Sequence, residues 1–203
     1  MKKAIKILTP IIVLIIVFLF VKKFVITDYK NKETGNNKNI QEIEQYILNV
    51  STYKAKVKVT VSSNKNADFY EFEQEVRGQS YTKQLATSPE AISGMQLTYE
   101  NGVLRIENTR YNLSKIYEDY PYITTNSLFL TSFIEGYRNS GISQIYEEDN
   151  KVKMIYDSKI NKYNYKQILY INKSTLAPEN LQIFDINNSL KIDIIYNEIE
   201  LNI

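Results

Sequence analysis

Glu71, Glu73 and Glu75, spaced two apart, form the densest cluster of acid–base groups in this 203-residue chain. Alternating carboxylates can hold calcium or act as an acid–base pair. Here they alternate with Tyr70, Phe72, Gln74 and Val76, which sets them along one face of a strand. The expectation is a solvated face that keeps a sheet soluble. Glu147, Glu148 and Asp149 before Asn150 read as a charged turn, because a calcium loop would alternate its oxygen ligands around a Gly and close on a Glu. The remaining inventory is narrow. With no His and no Cys, the chain has no Cys nucleophile, no Ser-His-Asp triad, no His general base, and no zinc or haem site of the usual ligand types. Its six Gly are scattered, so neither Gly-rich phosphate-binding pattern occurs. No Ser-x-x-Lys motif opens a recognisable catalytic helix. These residues point to a protein that is not an enzyme, with no catalytic residues, no metal and no cofactor.

Binding character is concentrated between Ile116 and Phe133, where Tyr117, Tyr120, Tyr122, Ile123, Leu128, Phe129, Leu130 and Phe133 crowd a stretch broken by Pro121. Aromatic side chains supply large contact area at low entropic cost. Tyr117, Tyr120, Tyr122, Phe129, Leu130 and Phe133 are therefore the candidate partner- or ligand-binding residues. The alternative is that the same side chains plug an open sheet as its lid and core, since apolar residues at helical spacing usually pack inward.

The elements that must position this stretch are legible from hydrophobic period. Ile40, Ile43, Ile47 and Val50, with Tyr46 and Leu48, recur at three- and four-residue spacing and predict an amphipathic helix of about three turns. From Tyr53 the period becomes two: Tyr53, Ala55, Val57, Val59 and Val61 alternate with Lys54, Lys56, Lys58 and Thr60. The same alternation returns over 69–77. Three Lys on the first strand against three Glu on the second predict antiparallel cross-strand pairing on a solvated face. Further strands are expected at 80–87, 95–100, 103–111, 142–147, 152–157, 163–171, 181–186 and 190–199, about ten in all. Asn101-Gly102 predicts a tight hairpin with positive φ at both residues. Residues 115–141 break the pattern, and Leu128, Phe129, Phe133, Ile134 and Tyr137 predict a second helix before Gly141. The fold class expected is mainly β: a strongly curved antiparallel sheet or unclosed β-barrel covered by two helices, with function on its concave side or rim. A content of 43% hydrophobic and 12% aromatic residues is that of one packed domain, which without Cys has no disulfides to staple it.

At the N-terminus, Lys2, Lys3 and Lys6 precede an uncharged run from Ile7 to Val21, followed by Lys22, Lys23 and then Phe24, Val25 and Ile26. Taken strictly the run has the length of a signal-peptide core, but Lys22 and Lys23 can snorkel and let it span. No small-x-small cleavage site follows, which favours an uncleaved transmembrane anchor over residues 1–27, with Ile7, Ile11, Leu14, Phe18 and Val21 on its membrane face. The charge bias puts the N-terminus inside and the body on the extracytoplasmic face. Residues 28–39 read as a flexible linker and 40–203 as the domain. With the five anchor lysines set aside, 20 basic residues face 23 acidic ones, so no basic footprint for nucleic acid remains.

The order anchor, linker, amphipathic helix, TYKAKVKVTVSS, FYEFEQEVRG, a Ser88-Pro89 turn, MQLTYENGVLRIEN, the Leu-Ala-Pro turn at 176–178 and a closing LKIDIIYNEIELN resembles the lipoprotein-carrier (LolA/LolB-like) superfamily. The resemblance covers roughly residues 40–203 and implies an eleven-stranded unclosed barrel covered by helices. Within the superfamily the chain is most similar to the clostridial germination-lipoprotein (GerS-like) group. That likeness implies a non-catalytic role in sporulation and germination: binding a spore N-acetylmuramoyl-L-alanine amidase and supporting its work on cortex peptidoglycan, at the forespore or spore membrane. The group is lipidated on Cys; this chain has none, so the uncleaved helix would take the lipid's place. The alternative implied by the superfamily is a lipid or lipoprotein carrier or sensor, holding an apolar ligand in the concave face.

Overall fold

Asn39 starts the first helix, α1 (Ile40–Leu48), through a reciprocal cap: its Oδ1 accepts the Glu42 N–H at 2.9 Å, and its own N–H donates to the Glu42 carboxylate at 2.8 Å. The apolar spacing then turns Ile43 and Ile47 fully inward. The computed structural model describes residues 38–202 apart from Asn64, Thr109, 121–125 and 159–161. The anchor positions Ile7, Ile11, Leu14, Phe18 and Val21, the linker up to residue 37, and Tyr122 lie outside the described residues. Among the described residues no helix is long and apolar enough to cross a membrane.

Eleven strands follow: β1 (Thr52–Ser62), β2 (Ala67–Arg77), β3 (Tyr81–Ser88), β4 (Met95–Glu100), β5 (Val103–Asn108), β6 (Leu113–Tyr117), then helix α2 (Leu130–Asn139), then β7 (Ser143–Glu148), β8 (Lys151–Asp157), β9 (Lys166–Asn172), β10 (Pro178–Phe184) and β11 (Leu190–Asn202). They form one open sheet, in the order β6-β5-β4-β3-β2-β1-β11-β10-β9-β8-β7. Every pairing is antiparallel. Only the contact between β1 and β11 is non-local, and it joins the two meanders at the middle of the sheet. Because β6 and β7 stand at opposite edges, the chain between them must cross the whole sheet, and α2 belongs to that crossing.

The paired charges expected on β1 and β2 are in register: Lys54 opposite Glu75, Lys56 opposite Glu73, Lys58 opposite Glu71. Lys54 and Lys58 bridge their partners at 3.7 and 3.4 Å, while Lys56 turns instead to Glu198 on β11 at 2.9 Å. The other face of β1 carries Tyr53, Ala55, Val57 and Val59, all buried. This inner face, continued by Ile194, Leu181, Ile183, Leu169, Ile171, Val152 and Met154, packs with Ile43, Ile47, Leu130, Phe133 and Ile134 of the helices into one core. Asn101 and Gly102 have φ of 49° and 93°, as the β4–β5 hairpin requires.

The described residues hold eleven strands where about ten were expected. The expected strand at 103–111 stops at Asn108, and a turn through Asn112, at φ 49°, leads into β6, which starts at Leu113 and runs into the region expected to be a break. β6 was invisible to period because it is exposed along its whole length and is held by backbone pairing to β5 alone. The second helix is correspondingly shorter than the break that contains it.

Candidate binding surfaces

Antiparallel partners share a face, so the inner surface of the β2–β6 half can be followed across the registers. It runs from Tyr70, Phe72, Gln74 and Val76 to Thr82, Gln84 and Ala86, then to Met95, Leu97 and Tyr99, Leu104, Ile106 and Asn108, and ends at Leu113, Lys115 and Tyr117. Tyr70, Phe72, Leu97 and Ile106 are only half-buried. The floor is thus apolar and partly open to solvent, whereas the β8–β11 floor beneath the helices is closed.

A polar chain marks the boundary between the two. The Leu130 N–H, at the start of α2, donates to the Tyr53 hydroxyl at 3.1 Å, and that hydroxyl donates to Gln74 Oε1 at 3.2 Å. Gln74 Nε2 in turn donates to the Leu128 carbonyl at 3.1 Å and to Gln84 Oε1 at 3.3 Å. The N-cap position, Phe129, offers no side-chain cap, so the Tyr53 hydroxyl accepts one of the N–H groups that the helix end leaves open, while Gln74 holds the carbonyl of Leu128 just before the helix. Gln74 was the available signal in the sequence: a polar residue at an inward position between Phe72 and Val76 needs a partner once buried.

At its other end α2 is tied to α1. The Tyr137 hydroxyl donates to Glu44 at 2.5 Å, and the Arg138 guanidinium donates to the Leu48 carbonyl. Gly136 lies against the Tyr156 phenol so closely that a Cβ there would overlap it. A cleft of about 310 Å³ remains beside α2, lined by Val50, Gln79, Thr82, Phe129, Ile134 and Arg138 among others.

The candidate aromatic residues therefore separate. Phe129, Leu130 and Phe133 are core, with 2%, 0% and 0% of their surface exposed, so their side chains pack beneath α2 as its lid contacts. Tyr117 is exposed on β6, and its ring stands 6.3 Å from that of Tyr120, which follows it at the rim. Tyr122 is outside the described residues.

Acid–base chemistry finds little to work with in the described part. Burial pushes the Tyr53, Tyr156 and Tyr196 hydroxyls up, and Tyr137 is raised by burial and by the Glu44 carboxylate it binds. All four stay protonated at neutral pH. The Arg77 guanidinium holds the Glu75 carboxyl below its ordinary range. Among the described residues no group of three or more His, Cys, Asp or Glu is placed to hold a metal ion.

Solved structures share this fold. A chain of the structure of the CwlD amidase from Clostridioides difficile in complex with the GerS lipoprotein matches with a TM-score of 0.52 and 20% identity, over 80% of this chain and 93% of that one. An uncharacterized conserved protein from Thermus thermophilus matches with a TM-score of 0.52 and 12% identity, over 81% and 88%. A LolA superfamily protein from Nitrosomonas europaea is a looser match, at 0.41 and 10% identity over 82% and 94%. No curated protein matches the chain. Residues 5–203 match the family described as sporulation protein YdcC-like, and the chain belongs to that family, in agreement with the sporulation-type resemblance stated from its composition and N-terminal segment.

Proposed function

We propose that this chain is a non-catalytic binding protein of sporulation, anchored in the membrane through residues 1–27 and facing outward, that docks a cell-wall N-acetylmuramoyl-L-alanine amidase and supports its activity. The observation that carries the binding role is the β2–β6 half of the inner face: an apolar floor on which Tyr70 and Phe72, at the edge of the core, and Leu97 and Ile106 beyond it stay only half-buried among the described residues. Membership in a sporulation family and the fold shared with a chain of an amidase–lipoprotein complex support this choice of partner class. The protonated tyrosines and ion-paired carboxylates fit a scaffold better than a catalyst.

The same half-open floor favours a second reading, an apolar ligand or lipid held against the inner face. Pull-down of the tagged full-length chain from detergent-solubilised sporulating cells, with mass spectrometry of proteins and extracted lipids, separates the two. A stoichiometric amidase without lipid supports docking; bound lipid without a protein partner replaces it with the carrier reading. If Tyr117 and Tyr120 form part of the docking rim, Tyr120→Ala lowers amidase recovery without lowering the unfolding midpoint.

A further inference from the structure

The sheet has two free edges, and they are defended unequally. β7 carries Glu147 and Glu148, bridged to Lys173 and Lys153, and α1 packs against it. Among the described residues, β6 has neither a helix packed against it nor ion pairs. Leu113 and Ile116 are 64% and 50% exposed, Tyr117 is also exposed, and Tyr111 of the preceding turn is 64% exposed. An open strand edge with apolar side chains on both faces is a template for another strand, and stable proteins normally blunt such edges. We propose that β6 is a strand-addition site, which takes an extended segment of a partner protein carrying an acidic residue flanked at two-residue spacing by apolar ones. The proposal deepens the binding reading but does not depend on the amidase being the partner.

The chemistry of the occupant follows from Lys115. Residues 113, 115 and 117 share the inner side of the edge, so Lys115 stands between Leu113 and Tyr117, with its ammonium 4.9 Å from the Tyr117 ring centroid. Among the described residues it has no ion-pair partner. A strand laid along β6 would place one side chain opposite Lys115 and apolar ones opposite Leu113 and Tyr117. A carboxylate there gains a cross-strand pair, whereas a cation there is repelled. This also disfavours a second copy of the same chain. Pairing β6 with itself antiparallel over its whole length sets Lys115 directly against Lys115 of the other copy.

The test uses the full-length chain and two fluorescent peptides, Thr-Val-Thr-Glu-Thr-Val-Thr and the same peptide with Lys in place of Glu. Binding is read by anisotropy and mapped by hydrogen–deuterium exchange. The Glu peptide is expected to bind about tenfold tighter than the Lys peptide and to slow exchange over Leu113–Tyr117. In Lys115→Glu, an exposed substitution whose folding is checked by circular dichroism, the preference should invert. Absence of binding, equal binding of the two peptides, or protection elsewhere on the sheet overturns the proposal. So does sedimentation as a dimer with β6 already protected before peptide is added. Any of these results would leave the amidase capture experiment unaffected, so the two readings fail separately.

Discussion

The two halves of the sheet are built from the same kind of strand and reach different ends. On the β7–β11 side the inner residues are long aliphatics at full burial, Leu169, Ile171, Leu181, Ile183 and Ile194, capped by α1 and α2. On the β2–β6 side Gln74, Thr82, Gln84 and Asn108 occupy inward positions, and Leu97 and Ile106 between them stay half-exposed. Leu104 and Ala86 are buried there yet stand outside the main core cluster. The lesson is a division of labour: one half supplies stability and the other keeps apolar surface available, with α2 fastened along the seam by Tyr53 and Gln74.

If that division is right, truncation should cost unequal amounts. Leu169→Ala is expected to lose about 2–5 kcal/mol in denaturant unfolding, and Leu97→Ala only about 1 kcal/mol. Equal losses would erase the distinction. Next in size, Gly136→Ala drives a methyl into the Tyr156 phenol and should cost about 1–3 kcal/mol, with partial recovery on adding Tyr156→Phe. The seam can be tested with two hydroxyl deletions. Tyr53→Phe removes the group that joins Leu130 to Gln74 and should cost about 1–3 kcal/mol. Tyr196→Phe deletes a buried hydroxyl with no hydrogen-bond partner and should be neutral or stabilising, as thermal melts would show.

The smallest effect belongs to the outer face. Arg77 holds the Glu75 carboxyl low, so that pair contributes above the ordinary carboxylate range and loses its contribution as pH falls through the lowered value. Arg77→Ala should therefore be slightly less stable than the parent at neutral pH, with the difference vanishing in acid. A difference that persists at low pH would assign Arg77 a packing role against Tyr81, whose ring it stacks over at 4.8 Å.

Much of this was legible in the chain. Period two exposed β1 and β2, with the Lys and Glu positions facing each other, because a half-buried strand must alternate. Asn101-Gly102 announced its turn because few other residues tolerate positive φ at both positions. The same logic failed for β6, since LSKIY is exposed on both faces and leaves no alternation to read. It also failed to divide the aromatic stretch. Phe129, Leu130 and Phe133 look like Tyr117 and Tyr120 by type, and only the packing of α2 against α1 and β8, with its first turn held at Tyr53 and Gln74, makes the first three core.

What the sequence determined by itself is local and compositional: the absence of His and Cys chemistry, the helical spacing from Ile40 to Val50, the alternation of the strands and the Asn101-Gly102 turn. These follow from covalent identity and backbone period, which need no partner to express them. The tertiary structure decided what depends on residues far apart in the chain. It paired β1 with β11 at the centre and set β6 and β7 at opposite edges. It laid the crossing chain over one half of the sheet, turned Gln74 toward a helix end 54 residues away, and left Lys115 on an open edge. Burial and hydrogen bonding between distant segments are properties of the assembled sheet, so no single stretch of the chain carries them.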